Sequence, residues 1–192
     1  MTTKGQRFAL PFFALKFMVF VVFFVVVWWE CLPYYGQALL QITGLPLKYA
    51  LGVPIDSGFI DVQGKLNTES SLVFSVSGHE RRMKIALLAT NVPPYIALVL
   101  ATAGLTWRRR GLILLYGCGI LCFFHAFFII IAMRFQDKLM LISEVPTALV
   151  QFFLTLPFML WIVFAYWEKL MTLFQDKASG TEKQLPSEKE QS

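Results

Sequence analysis

The sequence predicts an all-α polytopic membrane protein with four transmembrane helices, an interfacial helix and a small extracytoplasmic β-hairpin. Three observations predict it. The 192 residues are 57% hydrophobic and only 15% charged, with a mean hydropathy of +0.62, whereas soluble domains carry about a quarter of their residues as charges. The apolar residues fall into long, nearly uncharged runs, several of them reaching the ~20 residues that cross a hydrocarbon core. The basic residues lie beside those runs, as the positive-inside rule expects. The net charge of +5 therefore indicates orientation in a bilayer and no nucleic-acid partner.

The first span is expected over residues 8–29, after a short basic start (Lys4, Arg7). A cleavable signal peptide has a shorter apolar core of about 7–15 residues and a small-residue cleavage site; this run is longer and ends in Trp28-Trp29-Glu30-Cys31. Lys16 lies close enough to the inner interface to snorkel. Trp28 and Trp29 mark the outer interface, with Glu30 solvated beside them. Pro33-Tyr34-Tyr35-Gly36 is expected to end the helix. Gln37 to Leu51, broken by Gly44 and Pro46, is too short to span and reads as an interfacial or re-entrant segment.

Residues 53–84 form the hydrophilic outer loop. Phe59 to Gln63 and Ser71 to Ser77 alternate with period two around turn formers at Gly64 and Asn67, which predicts a β-hairpin. His79 reads as a turn residue rather than a ligand. The second span is expected over 85–107. Its Asn91-Val92-Pro93-Pro94 removes backbone donors and predicts a kinked or unwound outer turn facing the bundle interior. Arg108, Arg109 and Arg110 form a cytoplasmic turn, and the third span returns over 111–133 to Arg134. The fourth is expected over 145–167, with Pro157 as a mid-helix kink and Tyr166 and Trp167 as an inner aromatic belt. Residues 1–176 make one membrane domain and 177–192 a disordered cytoplasmic tail. Four spans place both termini in the cytoplasm of a bacterial inner membrane.

Polar groups inside spans are functional candidates because they cost free energy there. Cys118, Cys122 and His125 have helical spacings of four and three and so share one face of the third span. A thiolate–imidazole pair is the minimum for nucleophilic cysteine catalysis or a soft-metal site. The competing reading, preferred here, is packing, because with Gly117 and Gly119 the cysteines make a small-residue strip. Asn91, Arg134 and Glu144 all fall near the outer face, where they form a candidate outer cleft or serve separately as anchors and helix-end charges. The three cysteines fit no disulfide framework, and no metal or other cofactor is expected. The sequence holds no phosphate loop, HExxH or GxSxG.

The strand-bearing outer segment, the span entered from outside, the Trp107-Arg108-Arg109-Arg110 turn and the return span ending at Arg134 resemble the core of exosortases and archaeosortases. Those are polytopic membrane transpeptidases that process C-terminal sorting signals. The resemblance covers Val53 to Arg134. It implies a cysteine at the outer start of one span, an arginine at the outer end of the next and a later histidine. Arg134 occupies the arginine position, but Thr90-Asn91-Val92 stands at the cysteine position and no histidine follows His125. The implied relative is non-catalytic, most similar to the small membrane proteins associated with exosortase systems. The expected role is an accessory or assembly partner in protein sorting or envelope-polymer export. It would contact the bilayer and another membrane protein through the Gly/Cys strip and the outer hairpin. An intramembrane cysteine transpeptidase or protease using Cys118 or Cys122 with His125 is the alternative. A small transporter or channel subunit is disfavoured, because His125 is the one titratable polar group deep in a span.

Overall fold

The structure, a computed structural model, describes residues 4–64, 67–139 and 151–167. It is mostly helical, with a small three-stranded sheet, and two of its helices are long and apolar enough to cross a membrane.

Helix α1 runs unbroken from Lys4 to Leu45 and continues into a π-helical turn at Pro46–Ala50. At 1.5 Å per residue this is roughly 60 Å, about twice a hydrocarbon core. The expected stop at Pro33-Tyr34-Tyr35-Gly36 does not occur, and the expected interfacial segment is the far end of the same helix. A proline inside a helix leaves the carbonyl four residues earlier without its donor; for Pro33 that is Trp29. Its oxygen instead accepts a hydrogen bond from Asn67 Nδ2 at 3.2 Å. Gly36 serves close approach, since a Cβ there would lie 2.6 Å from Ile85 Cδ1. The first half of α1 exposes Phe12, Leu15, Met18, Val22 and Phe23. Lys16 reaches back over the Phe12 ring, with Nζ 4.3 Å from its centroid, the N-terminal lean of a snorkelling lysine.

The hydrophilic segment before the second expected span folds into an antiparallel meander of β1 (Ile55–Asp61), β2 (Ser71–Val76) and β3 (His79–Lys84). The expected hairpin is present as β1–β2, with Asp61 paired to Ser71, and a third strand is added. Ser77 and Gly78 form the two-residue connection to β3, both at positive φ (51° and 77°), the conformation a tight hairpin turn requires. His79 is the first residue of β3, opposite Val76. Asp56 bulges out of β1, and its carboxylate accepts the Gly78 N–H at 3.3 Å. On the inner face of the sheet Leu72 and Phe74 are buried. Val73 on the other face is covered by its cross-strand neighbours Phe59 and Arg82. Arg82 pairs with Asp61 (3.0 Å) and Glu80 (2.9 Å); the Glu80 hydrogen bond and charge raise its already high pKa further.

β1 lies along α1. Gly58 meets Leu40, Ile60 meets Gly36, and the loop residue Asn67 reaches Trp29. The sheet is thereby clamped to the upper part of α1.

The second expected span is not one helix. Helix α2 covers Ile85–Ala89, the chain breaks at Thr90-Asn91, and α3 covers Val92–Ala101. α3 buries Val92, Tyr95, Ala97, Leu98, Val99 and Ala101. Apolar nearly all round, it forms the centre about which the longer helices pack. Helix α4 spans Trp107–Leu139, longer than the expected 111–133. The three arginines lie in its first turn rather than in a turn between helices, and the connection is residues 102–106. Of the fourth expected span, Gln151–Trp167 is described and helical; this is α5. Residues 145–150 and the tail 177–192 lie outside the described residues.

Two apolar cores result. One, on the side of the sheet, joins Leu32, Leu39, Phe74, Ile85, Ile129 and Phe153. The other, toward the Trp107 end of α4, joins Tyr95, Val99, Ile113, Leu121 and Leu156. Outside them α1, α4 and α5 present large apolar side chains, among them Val22, Leu115, Phe123 and Leu154.

Candidate functional site

His125 sits on α4 with no exposed surface. Its Nδ1 is 2.6 Å from the Tyr35 hydroxyl of α1, and the two rings meet edge to face at 5.9 Å. The Phe153 ring of α5 closes the other side, 5.4 Å away. An imidazole in an apolar bundle is tolerable only with a hydrogen-bond partner, and Tyr35 supplies it. That tyrosine escaped the sequence argument for a definite reason. Trp28 and Tyr35 are seven residues apart and share a helical face, but only if the helix continues through Pro33. With the helix ended there, Tyr35 belonged to a loop.

Cys118 and Cys122 share the α4 face with His125 but belong to different cores. Cys122 packs in the sheet-side core beside Tyr35, and Cys118 in the other core beside Tyr95. Among the described residues neither thiol is hydrogen-bonded to His125, whose partner is Tyr35. No three His, Cys, Asp or Glu side chains among the described residues gather as a metal site.

Asn91 is 6% exposed, at the break between α2 and α3. Its Nδ2 donates to the Phe153 carbonyl at 3.3 Å. Pro157 follows four residues later, so this is the carbonyl that the proline leaves without a donor. Asn91 thus does for α5 what Asn67 does for α1. Arg134 has a different setting: it is exposed, with Cζ 5.7 Å from the Phe135 ring centroid. Phe135 departs from helical geometry (φ −118°, ψ 15°), and one turn of sheet attaches there, with Arg81 donating to the Met133 carbonyl at 2.8 Å. Glu144 lies outside the described residues. Asn91 is therefore an interior group and Arg134 a surface one.

The end of the bundle where α4 begins is built round Thr102. Its hydroxyl donates to the Leu98 carbonyl (2.7 Å) and accepts from Trp161 Nε1 (2.8 Å), while its carbonyl accepts from Arg110 (2.7 Å). Arg110 also lies over the Trp107 ring. Gly117, expected in a strip for a partner helix, is occupied from within. Tyr95 of α3 donates to the Ile113 carbonyl at 2.7 Å, and a Cβ at Gly117 would overlap the Tyr95 hydroxyl. Gly119 faces outward, with open space where a Cβ would be.

The arrangement is a set of hydrogen bonds joining helices rather than a nucleophile aligned with a base. No protein-family model matches the chain, and neither a curated protein nor a solved structure does.

Proposed function

We propose that the chain is a four-span protein of the bacterial inner membrane with both termini in the cytoplasm. In this reading it is a non-catalytic accessory or assembly partner in an exosortase-like system for protein sorting or envelope-polymer export. The observation that supports a non-catalytic role is the engagement of its best candidate reactive groups in internal contacts. The His125 imidazole is held by Tyr35, and Asn91 by the Phe153 carbonyl. A cysteine nucleophile needs an adjacent base to become reactive, and here the imidazole nitrogen facing a neighbour faces a tyrosine. The spans would be α1, α2 with α3, α4 and α5, whose exposed apolar faces would meet lipid. The triple arginine would lie on the cytoplasmic side and the three-stranded sheet outside, free to meet a partner.

Crosslinking in intact membranes, followed by purification in mild detergent, tests this. The expected outcome is co-purification of a larger membrane enzyme or its substrate protein, undiminished when Cys118 and Cys122 are both changed to Ala. A monodisperse monomer, or loss of function in the double-cysteine variant, would sink the reading.

A further inference from the structure

Four buried side-chain polar atoms have no hydrogen-bond partner among the described residues: Trp28 Nε1, Asn91 Oδ1, His125 Nε2 and Arg110 Nε. Arg110 belongs to the end where α4 begins. The other three belong to one contiguous group of side chains toward the sheet side of the bundle. The Trp28 and Tyr35 rings are 5.1 Å apart, and Tyr35 is hydrogen-bonded to His125. The His125 ring packs on Phe153 at 5.4 Å, and the Phe153 carbonyl holds the Asn91 amide. Two helices, α1 and α4, and the α2–α3 break thus each bring a polar side chain to the same region, and α5 adds the Phe153 carbonyl. Native interiors leave few such atoms unpaired, because each one gives up its hydration with nothing in return.

The hydrogen-bonding roles of the three atoms follow from their neighbours. An indole nitrogen is a donor only. The Asn91 amide is oriented by the Phe153 carbonyl, which requires its NH₂, so the free atom is the acceptor oxygen. When the Tyr35 hydroxyl donates to His125 Nδ1, the ring proton resides on Nε2, which becomes a donor. The unmet set is then two donors and one acceptor. A ligand that matches it must both accept and donate while carrying no net charge into an apolar interior.

We propose that Trp28, Tyr35, Asn91 and His125 form a hydrated site inside the bundle. Its ligand is an internal water that accepts from His125 Nε2 and donates to Asn91 Oδ1, with the Trp28 N–H as a further donor. Buried waters typically make about three such bonds to groups otherwise unpaired. A water at this position gives a fully buried imidazole an exchangeable partner, so His125 can trade protons although no bulk solvent reaches it. The site stands independently of the accessory role proposed above.

The chain has two histidines, which makes a direct test practical. The full chain carrying His79→Gln is labelled with ¹⁵N-histidine and reconstituted into phosphatidylcholine nanodiscs. Magnetisation transfer from water to the His125 ring N–H is then measured by NMR. The expected result is clear transfer that falls severalfold in Asn91→Leu, with helical circular dichroism unchanged. If Asn91→Leu fails to assemble, Trp28→Phe is read by the same criterion. No transfer, transfer from lipid or protein protons in place of water, or transfer undiminished in the assembled variant overturns the proposal.

Discussion

Pro33 and Pro157 each free a carbonyl inside an apolar helix, and each freed carbonyl is taken by an asparagine from another element. Asn67 comes from the β1–β2 loop and Asn91 from the α2–α3 break. Asn67 adopts φ +58°, a left-handed conformation that asparagine tolerates better than most residues. Where water is scarce a freed carbonyl must find a protein donor, so these contacts are what keep both helices continuous. Asn67→Ala is expected to cost about 1–3 kcal/mol in the natural background. It should cost little once Pro33 is also changed to Ala, because the new N–H then serves Trp29. A double-mutant cycle on unfolding free energy checks this; additive effects would show that the asparagine does not serve the proline's carbonyl. The prolines and asparagines are plain in the sequence. Their pairing is not, because each asparagine lies 38 or 62 residues from the carbonyl it serves.

Among the secondary-structure elements, sequence patterning succeeds where one face decides the outcome. β2 appears over nearly the expected residues, with Leu72 and Phe74 on the inner face and Val73 buried on the other. β3 (HERRMK) falls in the hydrophilic segment beyond the expected hairpin, yet its Arg81 and Met83 are half buried while Glu80, Arg82 and Lys84 are exposed. That alternation, together with the Ser77-Gly78 turn, was the available signal, obscured because its inward residues include an arginine. α3 and α4 show the same dependence on tertiary contact. Gly117 looked like part of a surface strip, and Tyr95 fills it instead. Gly117→Ala would ordinarily stabilise a helix by about 1 kcal/mol. Here overlap with a fully buried tyrosine reverses the sign, and a net loss of about 1–3 kcal/mol is expected. Changing Tyr95 to Leu in the same chain should restore the ordinary preference. Thermal unfolding of the four variants measures it, and a stabilised single variant would contradict the packing.

For the molecule as a whole, the triple arginine and the sheet, whose acids are matched by Arg81, Arg82 and Lys84, lie at opposite ends. Arg108, Arg109 and Arg110 start α4, at the end where Thr102, Trp161 and Phe13 meet. The sheet, with Asp56, Asp61 and Glu80, lies at the other end beside Gly36 and Leu40 of α1. If the arginines face the cytoplasm, the sheet faces outward. In a Cys31→Ser background, Ser57→Cys is expected to react with a membrane-impermeant maleimide in intact cells. Arg108→Cys is expected to react only after permeabilisation. The reverse pattern would invert the proposed orientation, and labelling of both in intact cells would reject the crossing altogether.

Composition and charge placement alone settled that this chain is dominated by apolar helices with a small strand-bearing segment between them, because hydrophobic run length and period are local properties. The unwinding beside Asn91 was legible for the same reason: two adjacent prolines act on their own backbone. What tertiary structure decided is where helices stop and which polar groups meet. α1 passes Pro33 because a distant asparagine takes the freed carbonyl, and His125 faces Tyr35 rather than a thiol because that longer helix brings the tyrosine round. The triple arginine keeps its place at one end, now as the first turn of α4. The chemistry suspected beside it resolves into hydrogen bonds between helices, since an isolated polar group in an apolar bundle takes whatever partner the packing brings within reach.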